Sequence, residues 1–192
     1  MQQVVIELKE HMKNRKFKAF FVIETLMLLG LGIEFFLLGY HFLKILRCIT
    51  VMICLAILAW IDWEKRCIPN KILVIMLAVR GTLLILEWGV LKEIGISILI
   101  SSVLGMLAGG GMFLICYLLS RGGIGAGDVK LFAVIGCYVG AGSILTVAFL
   151  TVMTAALYSI VMLMLKKKSL KEEIPFAPFI WLGTILTMAL GM

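Results

Sequence analysis

Charge is scarce in this chain. Of its 192 residues, 15% are charged and 62% are hydrophobic, and the mean hydropathy is +1.13. A soluble domain of this size carries far more polar surface, so water is not its main solvent. Histidine is confined to His11 and His41, neither with a metal-ligand partner at useful spacing. The five cysteines, Cys48, Cys54, Cys67, Cys116 and Cys137, form no C-x-x-C pair. Their odd number and scattered spacing argue against a disulfide framework or a zinc site. They read as small residues facing lipid or core, and no metal or cofactor is expected. Aspartate is scarcer still: Asp62 and Asp128 are the only two.

What fills the chain instead is long apolar runs separated by short charged stretches. A membrane-spanning helix needs about 20 apolar residues, whereas outer-membrane barrels show short alternating segments, which are missing here. Seven segments stand out: Ala19–Tyr40, Leu43–Ile61, Ile72–Trp88, Ile96–Ser120, Val129–Gly140, Ile144–Leu165 and Phe176–Gly191. The expected fold is therefore all-α, a polytopic transmembrane bundle of about seven spans. Val129–Gly140 is the short one, reaching about 18 Å at the helical rise. It is expected to cross, extended by its flanks or sheltered by its neighbours. Gly109-Gly110-Gly111 in the fourth segment allows close helix approach or a kink.

Three parts are expected: a basic segment over residues 1–18, an additional N-terminal transmembrane helix over 19–42, and a six-span core over 43–192. The basic segment suits either a helix lying on anionic headgroups or a disordered tail. The first apolar run is too long for a signal-peptide core and lacks an A-x-A site, so it is expected to remain as an anchor.

The net charge is +7, from 18 Lys and Arg against 11 Asp and Glu. In a soluble protein this would point to nucleic acid. Here the basic residues sit in short loops beside apolar runs, so they read as orientation signals and no nucleic-acid partner is expected. With the N-terminus in the cytoplasm and every segment crossing, 14 basic residues fall inside. Only Lys44, Arg47 and Lys92 fall outside, and Arg80 lies within a span. That asymmetry favours this topology. It places Asp62 and Asp128 on the same, cytoplasmic face.

A carboxylate at the membrane boundary is costly unless solvated or paired, which makes both aspartates functional candidates. Two such groups suit peptide hydrolysis by a water held between them. One carboxylate takes the water's proton, and the other, protonated, polarises the scissile carbonyl and protonates the leaving nitrogen. Close carboxyls share a proton because they cannot both ionise easily. The plainer reading is that each aspartate caps a helix or pairs with a nearby Lys or Arg.

The surroundings favour chemistry. Asp62 is followed by Ile68-Pro69-Asn70, with Asn70 as the expected N-cap of the third segment. Asp128 lies in Gly125-Ala126-Gly127-Asp128-Val129-Lys130, preceded by Gly122-Gly123. These glycines permit unusual backbone conformations and close approach of a substrate strand. The stretch Gly125–Lys130 matches the G-x-G-D-x-K signature of type IV prepilin peptidases, a branch of the GxGD membrane aspartyl proteases. Asp62 seven residues before Pro69 matches that family's first motif. Pro175-Phe176-Ala177-Pro178-Phe179 resembles its P-F-x-P-F motif. The three occur in the family's order across residues 61–180.

The resemblance implies packed transmembrane helices with Asp62 and Asp128 as the catalytic pair. Gly125 and Gly127 would shape the active loop, with Lys130, Pro69, Asn70, Pro175, Phe176 and Pro178 supporting it. It implies as substrate a prepilin or pseudopilin, cut after a short basic leader at the cytoplasmic face of the cell membrane. Larger members carry a cytoplasmic insertion with paired C-x-x-C motifs and also N-methylate the trimmed pilin. That insertion is not seen here, so cleavage without methylation is expected. Two rivals stand beside this reading: a presenilin-like protease cutting within membrane helices, and a non-enzymatic transporter or pilus-assembly subunit using the aspartates to bind ions. The residues leave oligomeric state open.

Three further charged residues, Glu24, Glu34 and Arg80, fall within apolar segments. Arg80 needs a partner there, and Glu24 or Glu34 is the expected one. Glu64 either tunes Asp62 or is solvated, and Lys166–Lys171 reads as a topology determinant.

Overall fold

The computed structural model describes residues 15–120, 123–165 and 174–191. Most of the basic N-terminal segment, Arg121 and the Lys166–Lys171 run lie outside the described residues. Among those described, the fold is entirely helical: α1 (Arg15–Leu37), α2 (Phe42–Lys65), α3 (Asn70–Val90), α4 (Gly95–Leu119), α5 (Ala126–Val139), α6 (Ala141–Met164) and α7 (Ala177–Ala189). Two compact units result, one ending at Tyr40 and containing α1, the other starting at His41 and containing α2 to α7.

Five helices, α1 (from Phe17), α2, α3, α4 and α6, are long and apolar enough to cross a membrane. The chain is a multi-pass membrane protein. About seven spans were expected, and two of the seven helices are shorter than a full span. α5 has 14 residues and α7 has 13, against the roughly 20 that the hydrocarbon requires. Both are the enclosed elements of their unit. α5 buries Leu131, Phe132, Val134, Ile135, Gly136, Cys137 and Tyr138, and α7 buries nine of its thirteen residues. A helix surrounded by protein need not match the lipid, because its neighbours shield its polar ends.

α4 and α5 pack against one another through glycine. A Cβ at Gly105 would collide with the carbonyl oxygen of Gly136, and one at Gly136 with that of Gly105. A Cβ at Gly109 would meet the Phe132 carbonyl at 2.6 Å. Of the two roles open to the glycine triplet, Gly109 and Gly110 serve close approach, and α4 runs through them as one helix. Gly140, at φ 84°, separates α5 from α6 within a single residue, a backbone state that glycine adopts at no steric cost.

α3 and α5 run side by side away from the aspartates. Near their start Lys130 donates to the Asn70 side chain (3.2 Å). Further along, the Tyr138 hydroxyl donates to the Met76 carbonyl (2.8 Å) and the Arg80 Nε to the Cys137 carbonyl (2.9 Å). That carbonyl lies in the last turn of α5, where no intrahelical donor is left for it.

Arg80 is fully buried, and its partner is not the expected Glu24 or Glu34. Glu87, two turns along the same helix, takes the ion pair at 2.8 Å. Ser102 of α4 accepts a second guanidinium N–H at 2.7 Å. Arg47, counted on the outer side, belongs to α2 and reaches the other Glu87 oxygen at 3.3 Å. The cluster thus ties α2, α3, α4 and α5 together beyond the end of the short helix.

Candidate active site

Asp62 sits in the last turn of α2 and is buried. The helix ends at Arg66, which adopts the left-handed conformation (φ 52°) while its N–H caps the Asp62 carbonyl. The chain then turns through Ile68 and Pro69 into α3. Pro69, not Asn70, occupies the N-cap position, and no side chain caps that end. Asn70 is the first helical residue, and its side chain serves Lys130 instead. Proline suits this entry because its fixed φ (here −69°) leads into a helix and the missing N–H costs nothing there.

Asp128 lies in the first turn of α5, after the extended Gly125. The glycines around it are explained by space and not by unusual dihedrals. Gly125 has φ −73° and ψ 140°, which any residue can adopt. A Cβ there would come within 3.1 Å of the Asp128 Oδ2, however. A Cβ on Gly127 would come within 3.1 Å of the Cβ of Ile68. Gly125 therefore makes room for the carboxylate, and Gly127 lets the Ile68–Asn70 segment close over the start of α5. Lys130 belongs to the helix and not to the loop, and it is exposed.

The third stretch completes the site. Ala177, the first residue of α7, donates its backbone N–H to the Asp62 Oδ2 at 3.0 Å. Such an N–H has no partner within its own helix, and the positive end of the helix favours an anion. Phe176 faces two stacked rings, Phe113 of α4 and Phe132 of α5, whose centroids are 3.5 Å apart. Phe176 lies 6.0 Å from the first and 6.3 Å from the second. Pro175 is buried, and Pro178 stands in the first turn, where proline is well tolerated.

The two aspartates stand within electrostatic reach, so that charge on Asp62 acts on Asp128. Asp128 lies in none of the five long apolar helices. Burial pushes its carboxyl up to about 6; the Asp62 charge adds to this, and a hydrogen bond with the Gly125 backbone pulls the other way. One carboxyl of the pair is thus able to keep a proton near neutrality while the other accepts a hydrogen bond. That is the arrangement acid–base hydrolysis needs.

The type IV leader peptidase family model matches residues 49–160, a stretch containing both aspartates. The chain belongs to this family. Among curated proteins it is 28% identical over 149 residues to the prepilin leader peptidase/N-methyltransferase of Bacillus subtilis (strain 168), covering 78% of this chain and 57% of that protein. It is 30% identical over 147 residues to the protein of the same name from Burkholderia pseudomallei (strain 1026b), covering 72% of this chain and 45% of that one. The chain therefore spans about half the length of the curated relatives it matches. No solved structure matches it.

Within this family member, every site residue expected from the sequence lies on α2, α3, α5, α7 or the segments entering them. Four participants were not singled out. Ile68 was quoted only as part of its motif, and Phe113 and Phe132 looked like ordinary core. The Ala177 N–H belongs to the backbone, and its only sequence signal is the Pro178 that marks a helix start.

Proposed function

We propose that this chain is a membrane aspartyl endopeptidase that removes the short basic leader from type IV prepilins or pseudopilins. The observation that carries the reading is the hydrogen bond to Asp62 from the helix that the third motif opens, with Asp128, the chain's other aspartate, within electrostatic reach. Hydrolysis proceeds by attack of a water on the scissile carbonyl carbon. The water's proton passes to a carboxylate, the new C–O bond forms, and the protonated carboxyl delivers its proton to the nitrogen as the C–N bond breaks. Asp62 and Asp128 are the catalytic pair. Gly125 and Gly127 give them space, and Lys130, Asn70, Pro69, Pro175, Phe176 and Pro178 hold the three segments together.

The reading extends to location and product. The site faces the cytoplasm from the cytoplasmic membrane, supported by the 14 basic residues on that side. The six-segment core from residue 43 carries the chemistry, and the helix before it is an addition. Paired C-x-x-C motifs are absent from the sequence, and the trimmed product is released without N-methylation.

The test is cleavage of a pilin-like peptide, carrying a basic leader, Gly and a hydrophobic helix, by the full chain in detergent or liposomes. Wild type is expected to yield a single cut before the hydrophobic helix, and Asp62→Asn and Asp128→Asn none. If wild type and Asp128→Asn are equally inactive on a panel of such peptides, the proposal fails. Orientation is tested at Cys67, which is exposed close to Asp62. In a variant keeping only this cysteine, a membrane-impermeant thiol reagent should label inverted vesicles and spare intact cells.

A further inference from the structure

The two aspartates meet different surroundings. Asp62 is buried at 6% exposure and receives a hydrogen bond from a helix N-terminus at 3.0 Å. Asp128 is half-buried, and its neighbour is the backbone of its own turn. The donor to Asp62 is fixed from behind. Its peptide group joins Phe176, set against the Phe113–Phe132 stack, to Ala177, which is fully buried. A buried N–H left without an acceptor is costly, which keeps this donor on Asp62.

We infer that the Phe176–Ala177 peptide N–H is a positioning group that makes the carboxylates unequal, holding Asp62 as the acceptor for the water's proton and leaving Asp128 to carry the shared one. The inference rests on the proteolytic reading above and deepens it by giving each aspartate one role. A hydrogen bond from N–H to an ionised carboxylate is stronger than one to a neutral carboxyl, so the donor favours the anion where it points. One cation adds to this donor, acting less than the backbone N–H groups do. Arg66, at the end of α2, is the cation facing Asp62. α7 contributes no titratable side chain. At the start of α3, Asn70 is neutral and holds Lys130, and Lys71 is exposed. Glu64 and Lys65, on the last turn of α2, are exposed.

The step then balances with one proton moving at each carboxyl. Water gives a proton to Asp62 and its oxygen to the carbonyl carbon. Asp128 hydrogen-bonds the carbonyl oxygen and then transfers its proton to the nitrogen as the C–N bond breaks. Return of the proton from Asp62 to Asp128 resets the pair for the next substrate.

The chain offers an unusually direct test, because labelling aspartate with ¹³C at the side-chain carboxyl gives two resonances and no others. Asp62→Asn or Asp128→Asn removes one and assigns both. In the full chain in detergent, the Asp128 resonance should move with a midpoint near 6, while the Asp62 resonance keeps its carboxylate position through that transition. Replacing the Phe176–Ala177 amide by an ester, with lactic acid in place of Ala177, removes the N–H and little else. The two transitions should then draw closer together, with the Phe176 N–H still in place, and the pH profile of peptide cleavage should shift with them. A purely structural role for this peptide group would lower the yield of folded protein without changing which aspartate holds the proton.

Titration of Asp62 at the higher pH in the unmodified chain would overturn the inference, as would an ester variant whose two curves are unchanged. Should the ester chain not fold, the unmodified chain's titration order still decides. If that order is as stated but no pilin-like peptide is cut, the proteolytic reading falls and the asymmetry stands.

Discussion

Ile68 rests against Gly127: a Cβ on the glycine would lie 3.1 Å from the Cβ of the isoleucine. This contact brings the segment after Asp62 onto the helix that carries Asp128. Gly127→Ala should therefore separate the two carboxylates by a few tenths of an ångström and lower cleavage on the order of tenfold. Ile68→Gly, which removes the opposing Cβ, should recover part of that loss in the double variant. A cleavage-based double-mutant cycle is expected to show coupling of about 0.5–3 kcal/mol. Additive losses would mean that the contact does not set the carboxylate geometry.

Gly125 makes a separate prediction. Its Cβ would approach the Asp128 Oδ2 to 3.1 Å, while its dihedrals suit any residue. Gly125→Ala should thus act on the carboxylate and not on the fold. Cleavage is expected to fall by about 10- to 100-fold, with unfolding changed by no more than about 0.5 kcal/mol. Thermal melts beside peptide assays distinguish this from general misfolding.

The proton on Asp128 gives two pH-dependent outcomes. With its carboxyl near 6, the fraction protonated falls about tenfold per pH unit above that value. The alkaline limb of the kcat/KM profile should accordingly have its midpoint near 6. For stability the sign is as follows. A carboxyl raised above its unfolded value of about 3.9 contributes stability below that pH, and this contribution is lost as pH rises through the folded value. Asp128→Asn should then raise Tm at pH 7.5 by about 2–4 °C and leave it unchanged near pH 4, while abolishing cleavage.

Arg80 tests the opposite end of the core. Removing its charge by Arg80→Met leaves Ser102 and the Cys137 carbonyl without their donor and Glu87 with only the longer contact to Arg47. The expected loss is about 3–5 kcal/mol, measured by denaturant or thermal unfolding in detergent. Arg47→Met should cost less, since Arg47 is partly exposed and its ion pair is longer.

Much of this architecture was legible in the order of apolar segments, because hydropathy over some twenty residues reports on lipid contact. The same signal cannot distinguish a helix facing lipid from one facing protein. For that reason α5 and α7 read as further spans when they are short and enclosed. The aspartates were legible because they are the only two and lie in recognisable motifs. Their partners were less so. The bond from Ala177 comes from backbone, the fit at Gly125 and Gly127 depends on tertiary neighbours, and the Arg80 partner lay seven residues along its own helix. Asn70 read as a cap because it stands at a helix start, but the preceding proline already begins the turn.

α5 spans about 21 Å at the helical rise, some 9 Å less than a typical hydrocarbon layer. A long helix answers a thicker or thinner bilayer by tilting, whereas one bounded by protein does not feel hydrophobic mismatch directly. Asp128 rides on such a helix, and Asp62, though on a long one, is tied to the short α7. The separation of the two carboxyls is thereby insulated from acyl-chain length. In liposomes of graded lipid thickness, turnover should vary less than the tilt of the long helices α2, α3, α4 and α6.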